Sequence, residues 1–185
     1  MKKIIIAVTG ASGSVYADML IKKLNTFKNQ IEECCVLFSD NAKEVWKYEL
    51  ENENFKNIPF KTYEINDFYS PVASGSSGFN IMIICPCSMS TLGKIANGIS
   101  NDLISRAADV ILKERKKLIL VTREMPLNLI HINNMKTVTE AGGIICPASP
   151  SYYSKPQSQT EIAGTVIDKI LSVADIENKS FQWGN

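Results

Sequence analysis

Apolar residues in this chain fall into short continuous runs, separated by segments in which they recur every three or four positions. Residues 3–8 form, after Lys3, a continuous apolar run rich in β-branched residues, the pattern of a strand covered on both faces. Residues 31–38, 80–85, 118–121 and 144–146 repeat it. A shorter strand is expected at 60–65, inside the polar stretch 52–67. Val15, Met19, Leu20, Leu24 and Phe27 have helical spacing, which predicts a helix over 15–27. Further helices are predicted at 41–50, 91–96, 102–115, 127–141 and 162–173, with Gly142-Gly143 as a left-handed stop after the fifth. Strand and helix alternate throughout. That order predicts an α/β fold, a doubly wound, mostly parallel sheet with helices on both faces, Rossmann- or flavodoxin-like. No linker, repeat or charge block interrupts it, so residues 1–185 read as a single domain with 176–185 as a C-terminal tail.

Composition narrows the function classes. Twenty Lys and Arg against nineteen Asp and Glu leave a net charge of +1, which argues against nucleic acid or a membrane surface as partner. The first apolar run is too short for a secretory leader, and no stretch is long enough to span a bilayer. The five cysteines (Cys34, Cys35, Cys85, Cys87 and Cys146) are odd in number, lie in apolar runs and form no CxxC pair. Buried reduced thiols in a cytoplasmic protein are therefore expected, with neither a zinc site nor a disulfide framework.

In a doubly wound sheet, ligands bind beyond the carboxyl ends of the strands. Those ends carry Thr9-Gly10-Ala11-Ser12-Gly13, then Ser39, then Pro86-Cys87-Ser88-Met89-Ser90-Thr91, then Thr122-Arg123-Glu124, then the 147–156 segment with Tyr152 and Tyr153. Any one of these loops is explained by ordinary capping and turn formation. Five on one rim point to a phosphate-bearing ligand, because small residues let backbone N–H groups and helix starts reach its oxygens. The first loop is neither G-x-G-x-x-G nor a P-loop, which favours a mononucleotide such as FMN over NAD or ATP. Arg123 could grip a phosphate and Glu124 could move a proton. Arg106, Asp109 and Lys113 share one helix face, which by itself suits a solvated surface. A lone histidine, His131, argues against Ser-His-Asp hydrolysis. Trp46 and Trp183 read as packing residues.

Several ordered motifs carry a resemblance. Gly10-Ala11-Ser12-Gly13, Ser74-Gly75-Ser76, Pro86-Cys87-Ser88, the run from Arg106 to Arg115, Arg123-Glu124-Met125-Pro126-Leu127, Asn134-Met135 and the segment from Pro147 to Pro156 resemble the UbiX-type flavin prenyltransferases. These are metal-independent members of the homo-oligomeric flavin-containing Cys decarboxylase superfamily. The resemblance covers residues 3 to about 176. It implies transfer of a dimethylallyl group from dimethylallyl phosphate to N5 and C6 of reduced FMN. The product, prenylated FMN, would serve a UbiD-type decarboxylase. It further implies a dodecamer with sites at subunit interfaces. Carried onto this chain, it places Gly10, Ala11, Ser12, Ser39, Ser88, Met89, Ser90, Thr91 and Arg123 on FMN. Tyr153, Lys169, Arg106 and Lys113 fall on the allylic phosphate, Arg106 from a neighbouring subunit. Glu49, Lys113, Glu124 and Ser12 become the catalytic candidates, Phe68 or Tyr69 falls near an aromatic wall, and the 74–77 segment is expected on the same rim. Lys169 stands where many members carry Arg. Two rivals share the fold: an FMN-dependent cysteine-type oxidative decarboxylase, and a non-catalytic flavin-carrier subunit of an aromatic-acid decarboxylase. The first uses an early histidine that this chain lacks, and retention of Lys113, Glu124 and Tyr153 weighs against the second.

Overall fold

A computed structural model describes residues 1–181 and 184. Trp183 lies outside the described residues. Six parallel strands, β1 (Lys2–Val8), β2 (Ile31–Phe38), β3 (Lys61–Tyr63), β4 (Ile81–Cys87), β5 (Lys117–Thr122) and β6 (Ile144–Ile145), form one sheet in the order β3-β2-β1-β4-β5-β6. Helices α1 (Ser14–Leu24), α2 (Asp40–Leu50), α3 (Met89–Ala96), α4 (Leu103–Lys113), α5 (Leu129–Glu140) and α6 (Gln159–Val173) cover both faces. Period-two alternation along the central strand builds two cores. Ile4, Ile6 and Val8 of β1 pack with Leu20 of α1, Trp46 of α2 and Ile167 of α6. Ile5 and Ala7 face the other way, onto Leu92 of α3, Ile104 and Ile111 of α4, and Val138 of α5. The order reverses between β1 and β4, and the crevice outside their carboxyl ends is where such sheets bind ligands.

The boundaries differ from the expectation for local reasons. β4 continues through Pro86 to Cys87, with a register shift after Ile84 and a cis Cys85-Pro86 bond. α3 starts at Met89 because Ser88 caps it, its hydroxyl accepting from the Thr91 N–H. α5 starts at Leu129 because the Asn128 side chain caps it. α5 also departs from the usual plan: of its residues only Val138 is buried, while Leu129, Ile130 and Ile132 are 69%, 68% and 50% exposed. After α6, Ile176 is buried, and Glu177 exchanges two hydrogen bonds with the Gln30 side chain.

Candidate active site

Buried Thr9 ties the ends of β1 and β4 together. Its hydroxyl donates to the Pro86 carbonyl at 2.7 Å and accepts from the Ser88 N–H at 2.8 Å. This fixes the loop of Gly10, Ala11 and Ser12 against the start of α3. Gly10 runs so close to α2 that a Cβ there would lie 2.7 Å from the Asn41 Cβ. Ser39 closes the second strand end. Its N–H bonds the Val8 carbonyl and its hydroxyl accepts from the Ala42 N–H. Ser88 and Thr91 hydroxyls lie 3.1 Å apart at the α3 N-terminus, Met89 is half-buried against the core, and Ser90 is exposed.

Two helix N-termini thus meet the crevice, and they are differently occupied. At α1, both Glu49 oxygens accept from the Gly13 N–H at 3.0 Å, and one accepts from the Ser14 N–H at 2.7 Å. Burial pushes the Glu49 carboxyl up, but bonds from the Ser12 hydroxyl and from Gly13 and Ser14 outweigh it and hold the group below its ordinary range. The chain's own anion therefore fills the α1 end. α3 carries no acid in its first turn, and its N–H groups and hydroxyls are the donor set a phosphate would meet.

Arg123, just past β5, donates from Nε to the Ser12 carbonyl at 3.1 Å. Its terminal nitrogens have no protein partner among the described residues. Glu124 beside it is exposed and accepts from the Met125 N–H. Ser12, Tyr16, Glu49 and Arg123 line one cavity of about 340 Å³. A second, of about 660 Å³, is lined by Tyr153 and Lys169, with Ser151 and Thr165 joined behind them at 2.9 Å. Lys169 is close enough to Cys146, at the end of β6, to oppose the rise that burial imposes on its thiol. Tyr16 lies within electrostatic reach of both Arg123 and Tyr152.

The rim thus gathers Gly10, Ala11, Ser12, Ser39, Glu49, Ser88, Met89, Ser90, Thr91, Arg123 and Glu124, while Tyr153 and Lys169 line a separate cavity. Lys113 is not among them within one chain. It ends α4 beside Glu114, and Lys116 and Lys117 then lead into β5 at the amino edge of the sheet. A seven-residue strand separates the two edges by roughly 20 Å, beyond the reach of a lysine. The 74–77 segment, expected on the ligand rim, lies at this amino edge too. Gly75 packs on Glu114 and its carbonyl accepts from Lys116 Nζ. Arg106 points away from the crevice, bonding the Ala73 carbonyl at 3.2 Å and Asp109 at 3.2 Å. Tyr69 is fully exposed and Phe68 nearly half so. Sequence reasoning placed Thr9 on the rim without giving it a role, and missed Tyr16 and Ser14. Thr9 carried a signal, a hydroxyl at the last position before the Gly-rich turn, whereas Tyr16 reads as one more helix-face position.

A model of the flavoprotein family matches residues 1–175. The flavin prenyltransferase UbiX of Methanocaldococcus jannaschii is 42% identical over 185 residues, covering 98% of each chain. The chain belongs to the UbiX flavin prenyltransferase family. A solved AnUbiX (PadA1), in complex with FMN and dimethylallyl pyrophosphate, is 36% identical, with a TM-score of 0.91 over 98% of each chain. A dodecameric FMN-dependent UbiX-like decarboxylase from Escherichia coli O157:H7 is 33% identical, with a TM-score of 0.92 over 99% of this chain and 100% of that one. Membership in the family makes the chain a flavoprotein and a prenyltransferase, and it favours this reading over both rivals. No helix among the described residues is long and apolar enough to cross a membrane.

Proposed function

We propose that the chain joins the dimethylallyl group of dimethylallyl phosphate to reduced FMN and delivers prenylated FMN to a UbiD-type decarboxylase. One observation carries this reading: a helix start that has no acid and bears Ser88 and Thr91 stands at the crevice with Arg123, which bonds the Ser12 carbonyl. The reduced flavin supplies the nucleophilic N5 and C6. Ser88, Met89, Ser90, Thr91 and Arg123 hold its phosphate and ribityl end, and Gly10, Ala11, Ser12 and Ser39 line its approach. Tyr153 and Lys169 bind the phosphate of the donor.

Breaking the allylic C–O bond leaves negative charge on phosphate, and fixed cations already aimed at it lower the barrier without reorganising. These cations are lysines and arginines, so the reading needs no metal. Arg106 and Lys113 add to them from a neighbouring copy, consistent with a dodecameric relative and with their distance from the crevice in their own chain. Glu124, exposed on the rim, is the candidate to take the proton released when the new ring closes. Glu49, bonded by the Gly13 and Ser14 N–H groups and with a depressed pKa, acts as the clamp of the 10–14 loop. Five unpaired cysteines fit a reducing compartment, which supports the cytoplasm.

Anaerobic incubation of the purified chain with reduced FMN and dimethylallyl phosphate tests the proposal. Mass spectrometry should find flavin that has gained a five-carbon unit. FMN binding without that gain would point to the carrier, and decarboxylation of a cysteine-containing substrate to the oxidative decarboxylase.

A further inference from the structure

Tyr16 lines the cavity that also holds Ser12, Glu49 and Arg123. Its ring lies across the start of α1. A Cβ on Gly13 would come within 2.9 Å of a Tyr16 ring carbon, so the ring's placement depends on glycine at that position. The hydroxyl lies near the Cys85 thiol, the Arg123 guanidinium and Tyr152, yet it has no hydrogen-bond partner among the described residues. The phenol is half-buried, with its hydroxyl open to a bound ligand. Burial, more than any neighbour, raises its pKa, so the group stays protonated and can donate.

We propose that Tyr16 is a flavin-contacting residue whose hydroxyl donates a hydrogen bond to bound FMN. The inference rests on the flavin site described above. The ligand's anionic ends have arginine, lysine and a helix start to meet them, whereas a neutral donor suits the uncharged oxygens of a ring or ribityl chain. Its neighbours Arg123 and Ser12 belong to that FMN set, and Gly13 supplies the space for the ring.

The Tyr16→Phe variant removes the hydroxyl and keeps the ring. Titration with FMN, followed by quenching of flavin fluorescence, should show binding weakened about tenfold. The melting temperature without ligand should stay within a degree or two of the parent, and the KM for dimethylallyl phosphate at saturating FMN should not change. Tyr16→Leu, which also loses the ring, should melt lower, separating packing from ligand contact. Unchanged FMN affinity in Y16F would overturn the assignment, as would a rise in the KM for the allylic phosphate alone. Failure of the parent protein to bind FMN would instead remove the flavin site itself.

Discussion

Replacing Glu49 with Gln tests whether this carboxylate is a clamp or a proton acceptor. The side chain accepts from two N–H groups, Gly13 in a bond forked between both oxygens and Ser14, at 2.7–3.0 Å. Hydrogen bonds to an ionised group contribute about 1.5–3 kcal/mol each, and neutral ones about 1 kcal/mol. Glutamine keeps one accepting oxygen but loses the charge and turns an NH2 toward a backbone donor. With allowance for partial exposure, the loss should be about 2 kcal/mol. For a chain of this size that is a fall in Tm of about 4–8 °C. The carboxyl's folded pKa lies below its ordinary value. Its contribution is therefore complete above the unfolded carboxylate pKa and is lost as pH falls through the folded one. Scanning calorimetry of parent and E49Q from pH 7.5 to pH 3, at one chain concentration, should show a full deficit at neutral pH that closes in acid. An E49Q that melts with the parent at pH 7, or a deficit independent of pH, would refute the clamp. Lost turnover with unchanged melting would move Glu49 to proton transfer.

Three further outcomes are expected. Arg123→Gln should weaken FMN binding between about tenfold and a hundredfold by fluorescence titration, since a charge-assisted contact is removed. Lys113→Ala and Lys169→Ala should each lose prenylation activity. Mixed assemblies of the two variants should recover part of it if Lys113 serves a neighbour's site, and none if it acts within its own chain. Gly13→Ala forces a residue with a side chain to φ +119° and against Tyr16. It should cost about 1–3 kcal/mol by thermal melting and weaken FMN binding as well.

Much of the sheet was legible because strands buried on both faces leave unbroken apolar runs, as in residues 4–8 and 118–121. The rim was legible for a related reason: whatever follows a parallel strand must lie at its carboxyl end, which placed Ser12, Ser88 and Arg123 together. The same rule, applied to what precedes a strand, would have put the 74–77 segment at the amino edge. Family resemblance drew it to the rim instead. Glu49 was found by resemblance, but its partners were not, because they lie 35 and 36 residues away in sequence and only the α1–α2 packing brings them near. Tyr16 stayed hidden because a helical aromatic next to core positions is ordinarily packing, and no spacing distinguishes one that faces a cavity. The early end of α1 at Leu24 was equally unmarked, since Phe27 keeps helical spacing while its N–H already closes a turn onto Leu24.

Helix α5, with Leu129, Ile130 and Ile132 turned outward and Met125 and Leu127 beside them, has a thermodynamic consequence. Water is a poor solvent for such a strip, so copies that shelter it from one another gain what an isolated chain forgoes. In an assembly that sheltered this strip, heat resistance would cease to be a constant of the polypeptide. It would climb with the amount dissolved, because melting would first have to pull neighbours apart.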